Sequence, residues 1–190
     1  YIEETGAAES LGNAKVLPIY EGPTAIQAND LVGRKTARDG GAVARAIAGQ
    51  IEATEGQLRA RDSAAGRAVA ARLATARRAF LDAVDFVAGQ TQASPNAVFA
   101  GSVPYLMLAG TVVAGWQMAR ALMVAEDRLA EGTDTAFMQA KIATARFYAD
   151  PILNKTTGLR DSIVERADSV TPMPPASFRL PSPPPSNWCT

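Results

Sequence analysis

After Asp62-Ser63, the apolar residues Val69, Leu73, Ala76, Phe80, Val84 and Val87 recur at steps of four, three, four, four and three. An α-helix turns once in about 3.6 residues, so this spacing draws one continuous apolar stripe down a helix. A stripe that long must be buried against other elements, which commits the chain to helix packing. The neighbouring segments carry the same period. Val43, Ile47, Ile51 and Leu58 share one face of a helix ending near Arg61, and Asp62-Ser63 offers a cap for the next. A third helix runs over about residues 96–130 behind Ser94, with Pro104 kinking it or ending a first short piece. A fourth covers 133–166, bends at Pro151, and places Ile152, Thr156, Leu159 and Ile163 on one face. No segment alternates convincingly as a strand, and no internal repeat is present. Four long amphipathic helices with short connections predict an all-α, antiparallel bundle.

Upstream the pattern differs. Residues 3–11 read as the end of a helix, stopped by Gly12-Asn13. Val16 to Tyr20 is a short apolar connection that Pro18 keeps extended. Glu21-Gly22-Pro23-Thr24 is a turn opening a new helix, with Pro23 at an early helical position and Ile26, Asp30 and Leu31 carrying the pattern to Arg38. Asp39-Gly40-Gly41 is the clearest boundary. The expected organisation is 1–38 as one unit, 39–41 as linker, 42–166 as the bundle and 167–190 as a disordered tail holding seven of the twelve prolines. That tail is compatible with a ligand for an SH3-type domain, with an unstructured end, or with a frame error. The opening Tyr1-Ile2-Glu3-Glu4 has neither an initiator Met nor a basic-then-apolar leader, and reads as a cut through a longer protein.

Composition narrows the chemistry. The chain has no histidine, and Cys189 is its one cysteine, which removes most zinc sites, Ser-His-Asp triads, Cys-His pairs and internal disulfides. No metal site is expected. Nineteen basic residues balance nineteen acidic ones, so charge makes no case for nucleic acid or an anionic membrane. Arg59, Arg61, Arg67, Arg72, Arg77 and Arg78 form a local set that suits either phosphate binding or a solvated helix face, with Glu52, Glu55, Asp62 and Asp82 close by. Residues 86–119 carry no charge and pass a length test for a transmembrane helix. Their glutamines, glycines and Pro95 fit a buried bundle helix equally well, and no membrane span is expected. Tyr105 and Trp116 read as core or interface aromatics.

Three segments carry a family resemblance: Tyr1-Ile2-Glu3-Glu4-Thr5-Gly6, Ile19-Tyr20-Glu21-Gly22, and Ile26-Gln27 with Asp30-Leu31-Val32-Gly33-Arg34-Lys35. Together they resemble the C-terminal helical domain of acyl-CoA dehydrogenases. In that family a Gly-Gly-x-Gly-Tyr element precedes a helix and loop, and an Ile-Tyr-Glu-Gly-Thr segment follows about twenty residues later. Here Tyr1 would end the first element, and Glu21 falls at the expected spacing. The helices after Gly41 are similar to the extra C-terminal extension of a subset of larger members, those of the methylmercaptopropionyl-CoA type among them. The implied fold is the end of the helical domain followed by a four-helix extension.

The resemblance implies a flavin enzyme oxidising an acyl-CoA thioester to the 2,3-enoyl-CoA. Glu21 would be the base that removes the proton beside the thioester, and Gly22 would let the substrate approach closely. Pro23, Thr24 and Ala25 would lie by position at the FAD cofactor. Taken without the family, a loop glutamate is ordinarily solvated surface. Two departures stand out. Proline replaces the usual threonine at Pro23, removing a hydroxyl and an N–H, and Gly12-Asn13-Ala14 stands where the family often has Arg-Asp-Ala. The implied partners are an acyl-CoA substrate, an electron-transfer acceptor protein and further copies of the chain in a dimer or tetramer. The absence of internal disulfides fits the cytoplasm, and an isolated fragment should be inactive. The alternative reading is a non-catalytic helical module for oligomerisation or partner binding.

Overall fold

The computed structural model describes Gly12, Lys15, residues 22–165 and Ser169. The expected helix at 3–11, the connection around Val16 to Tyr20 and the proline-rich tail fall outside these residues. Every described regular element is helical, and no strand occurs among the described residues.

The chain enters through α1 (Thr24–Asp30), which widens without a break into a π-helical segment, Leu31–Ala37. A Schellman motif ends it: Gly40 N–H donates to Ala37 O at 3.2 Å and Gly41 N–H to Thr36 O at 2.8 Å. Both glycines are left-handed, at φ 64° and 81°. The Asp39 carboxylate then accepts from the N–H groups of Gly41 and Val43, at 2.9 and 3.1 Å. Those bonds, with Val43 first, hold its carboxyl below the usual range.

Helix α2 (Ala42–Ala60) turns back through three residues into α3 (Ala64–Gln90). As expected, Ser63 is the cap: its Oγ accepts from Gly66 N–H at 2.9 Å. The short α4 (Pro95–Ala100) and the long α5 (Ser102–Ala130) follow, so the early piece ends at Gly101 and Pro104 sits in the first turn of α5. There its missing N–H costs no helical bond. A second Schellman motif, with Gly132 at φ 73°, closes α5. Helix α6 (Thr135–Phe147) meets Pro151 inside a π-helical turn, Tyr148–Ile152. The ladder tightens into a 3-10 turn, Leu153–Lys155, before resuming as α7 (Thr156–Val164). A proline lacking an N–H and crowding the preceding turn accounts for that change of pitch.

Helices α3 and α5 form the centre. Helix α3 packs on α2, α5 and α7, and α5 packs on α1, α3, α6 and α7. The α3 stripe is buried as the periodicity predicts, with Val69, Leu73, Ala76, Phe80, Val84 and Val87 all in the core. They meet Ile51 and Leu58 from α2, Tyr105, Leu108, Val112 and Leu122 from α5, and Leu153 and Ile163 beyond α6. Phe80 and Tyr105 stack with centroids 6.2 Å apart. Burying a large apolar side chain contributes about 1.5–3 kcal/mol, so this shared core is the main stabilising term.

Two expectations are corrected. Val43 is 60% exposed, and α2 turns Ala44, Ala48, Ile51, Thr54, Glu55 and Leu58 inward instead. Ile26 is 61% exposed, and α1 with its π segment buries Ala28, Val32 and Thr36. In both places the larger side chain marks the wrong edge of the face. Close approach between helices selects small residues there, and the bulky neighbour is displaced to solvent.

Candidate functional site

Glu21 lies outside the described residues, so the geometry begins one residue later. Gly22 is half-buried. Pro23 is extended (φ −53°, ψ 133°) and caps α1 rather than joining it. Its carbonyl accepts from Ile26 N–H at 2.9 Å and Gln27 N–H at 3.2 Å, which starts the helix. Thr24 and Ala25 are the first two helical residues, and both are exposed. Gly22 through Ala25 thus form one accessible segment at the head of α1. The Thr24 hydroxyl there could serve a ligand, while Pro23 has neither a hydroxyl nor an N–H to give.

The bundle holds this segment from below. Thr36 and Tyr105, both buried, share a hydrogen bond of 3.0 Å that joins the π segment to α5. Burial pushes the Tyr105 hydroxyl above its ordinary pKa, with the Thr36 bond acting in the other direction. Val32 is part of the shared core, and a Cβ on Gly33 would stand 3.4 Å from Phe99 Cζ. The sequence marked Tyr105 as a core or interface aromatic but gave Thr36 no role. A threonine in a polar-looking stretch carries no periodic signal of its partner 69 positions away.

Neither main cavity touches the head of α1. The larger, about 630 Å³, lies between the α2–α3 connection and the end of α5. Its charges are satisfied internally: Arg61 grips Asp127 at 2.6 and 3.0 Å and donates to Met123 O, and Ser63 Oγ donates to Glu126. Arg61 draws the Asp127 carboxyl down, and Asp127 raises Arg61 in return. The second, about 420 Å³, is a groove between α5 and α6. No cluster of three or more acidic or cysteine side chains that could hold a metal ion occurs among the described residues.

Most of the arginine set is consumed within the fold. Arg59 and Arg77 pair with Glu55, Arg61 with Asp127, Arg67 with Asp62, and Arg72 with Asp150, while Arg78 bonds Thr75. They form a helix surface laced with ion pairs rather than an open phosphate site. Helix α5 remains long and apolar enough to cross a membrane by length and composition. In the fold it supplies Tyr105, Leu108, Val112 and Leu122 to the core, and Trp116 Nε1 donates to Thr54 Oγ1 at 2.8 Å.

Comparison with known proteins agrees with this architecture. A family model described as "Acetyl-CoA dehydrogenase C-terminal like" matches residues 44–174. The chain is 48% identical over 170 residues to a 3-methylmercaptopropionyl-CoA dehydrogenase of Ruegeria pomeroyi, covering 90% of this chain and 29% of that protein. It is 30% identical over 194 residues to the broad-specificity linear acyl-CoA dehydrogenase FadE5 of Mycobacterium tuberculosis, covering 94% of this chain and 30% of that protein. The chain therefore spans less than a third of the length of these curated relatives. On the family match and the bundle it overlies, the chain belongs to the acyl-CoA dehydrogenase family, through its C-terminal-like helical domain.

Proposed function

We propose that the chain is the part of a flavin-dependent acyl-CoA dehydrogenase that carries the catalytic base, Glu21. The observation that carries this reading is the segment Ile19-Tyr20-Glu21-Gly22, which resembles the family's base-bearing segment and leads directly into the accessible head of α1. Relatives named as acyl-CoA dehydrogenases support it. The reaction removes a proton from the carbon beside the thioester and a hydride from the next carbon, leaving the 2,3-enoyl product. Glu21 takes the proton, which requires its carboxylate within hydrogen-bond reach of that carbon. FAD, when bound, supplies the hydride acceptor. Gly22, lacking a side chain, leaves room for the thioester. Thr24 is the one hydroxyl of the Pro23–Ala25 stretch and the natural contact to the cofactor, because Pro23 offers only its carbonyl. The remaining walls of the site would come from the rest of the enzyme, so this chain alone should not turn over substrate.

The test is a flavin spectrum of the full-length protein with a panel of acyl-CoAs. Bound flavin should bleach with a preferred thioester. Glu21→Gln should keep flavin and acyl-CoA binding and lower the bleaching rate by about 10²–10⁴-fold or more. Undiminished bleaching in that variant would remove Glu21 from the role. The second reading is a helical assembly module, favoured by the large apolar side chains Met107, Val124, Phe137 and Phe147, each more than half exposed. A folded full-length protein that never takes up flavin would favour it.

A further inference from the structure

A groove of about 420 Å³ runs between α5 and α6. Its apolar wall includes Ala121 and Val124 from α5 and Phe137 and Met138 from α6. Val124 and Phe137 are 59% and 57% exposed, an unusual state for side chains that size lining one concavity. Two cations, Arg120 and Lys141, complete the lining, and no carboxylate is among its lining residues. The Arg120 guanidinium lies 5.5 Å over the Trp116 ring and donates to Gln117 Oε1 at 3.0 Å. Lys141 Nζ lies 5.1 Å over the Phe137 ring. Both cations are held against aromatic faces and keep N–H donors for a further acceptor.

Several other arginines of the bundle are paired with acids. Arg45, Arg59, Arg61, Arg72, Arg77 and Arg160 are each within ion-pair distance of an acidic side chain. Arg120 and Lys141 have no such partner among the described residues. A water-exposed apolar trough costs free energy while empty, and two uncompensated cations on one trough favour an anion there. The volume falls within the usual range of small-molecule sites, about 300–1,000 Å³.

We propose that the α5–α6 groove binds an anionic amphiphile, a straight apolar chain with a carboxylate or phosphate head. The chain lies along Ala121, Val124, Met138 and Phe137, and the head is taken by Arg120 and Lys141. The site is separate from the head of α1 and does not depend on the role of Glu21.

Trp116 makes binding directly visible, because Arg120 rests on its ring. With Trp188→Phe it becomes the one tryptophan of the chain. Dodecanoate, kept below its micelle-forming concentration, should then shift Trp116 emission saturably. Arg120→Gln combined with Lys141→Gln should weaken that binding about tenfold or more, the scale of losing charge-assisted hydrogen bonds. Dodecanol should bind weaker than dodecanoate by a similar factor, and inorganic phosphate should give no shift at this concentration, because the chain supplies the apolar contact. Both altered side chains are exposed, so the far-UV circular dichroism of the variant should match the parent. Equal affinity in the double variant, or no saturable shift in the parent, would overturn the proposal. Co-sedimentation with phosphatidylglycerol vesicles without binding of free dodecanoate would also overturn it, assigning the groove to a membrane surface. Association of the chain with itself in place of ligand binding, read by sedimentation velocity, would assign it to a contact between copies.

Discussion

Glu55 shows how much one side chain can carry. It is fully buried on α2, and its carboxylate takes Arg77 Nε at 2.8 Å, Arg77 Nη2 at 3.2 Å and Arg59 Nη2 at 3.3 Å. Arg77 is 13% exposed and also reaches Glu52 at 3.0 Å, so it ties α3 to two acids of α2. Removing one member of a buried pair strands the other, which costs more than the pair itself contributes. Glu55→Ala should therefore destabilise the fold by about 3 kcal/mol, read as a lower urea midpoint at unchanged slope. Arg59→Ala, at a half-exposed side chain, should cost at most about 1 kcal/mol. Equal losses would mean that burial does not govern this network. The sequence offered these arginines as either a phosphate site or a solvated helix face, with Glu55 merely close by. Which of several neighbouring acids goes inward depends on the angle between two helices, and periodicity does not encode that angle.

At the scale of elements, the register of α5 against the segment after α6 rests on one missing side chain. A Cβ on Gly115 would stand 2.7 Å from Leu153 Cδ2 and 3.1 Å from Cδ1, in a helix buried at that point. Leu153 is buried and follows the π-helical turn that Pro151 imposes. Gly115→Ala gains helix propensity of about 1 kcal/mol but overpacks this contact by about 1–3 kcal/mol. The expected outcome is a net loss of melting temperature, and in a Leu153→Ala background, where the clash is absent, the same change should cost nothing. A stabilised single variant would show that α5 and the 3-10 turn are free to slide. The existence of these helices was legible in the sequence, and so was an interruption at Pro151. The pitch change was not, because a proline dictates that a helix is interrupted but not how its neighbours refill the gap.

For the whole molecule, acid stability follows from the carboxylates whose pKa lies below its ordinary value. Asp39 is lowered chiefly by Val43 N–H, and Asp127 chiefly by Arg61. A lowered folded-state pKa stabilises the fold above the unfolded value, near 3.9, and that contribution fades as pH falls through the folded value. Melting temperature should accordingly decline below about pH 4, and Asp39→Asn should flatten that decline. With no histidine in the chain, no side chain of ordinary pKa titrates between about pH 5 and 8, so a plateau is expected there. Above about pH 10 stability should fall again, because the buried Tyr105 resists ionisation in the fold and not in the unfolded chain. A thermal melt series across pH checks all three regions. An unchanged acid limb in Asp39→Asn would show that the turn after Gly40 contributes nothing to it.

By itself the sequence determined the all-helical class, the Ser63 cap, the buried stripe of α3 and the breaks at Gly40-Gly41 and Pro151. Each is set by local spacing, capping chemistry or backbone stereochemistry, which a linear string records in full. Its resemblance also pointed to the family to which the chain belongs. Tertiary structure alone decided which side of α1 and α2 faces inward, turning out Ile26 and Val43 in favour of smaller neighbours. It also paired Thr36 with Tyr105, buried Glu55 among arginines, and left Arg120 and Lys141 together on one groove without a carboxylate. These outcomes join residues far apart in the chain. They depend on the distances and angles at which helices cross, and packing of the whole core sets those.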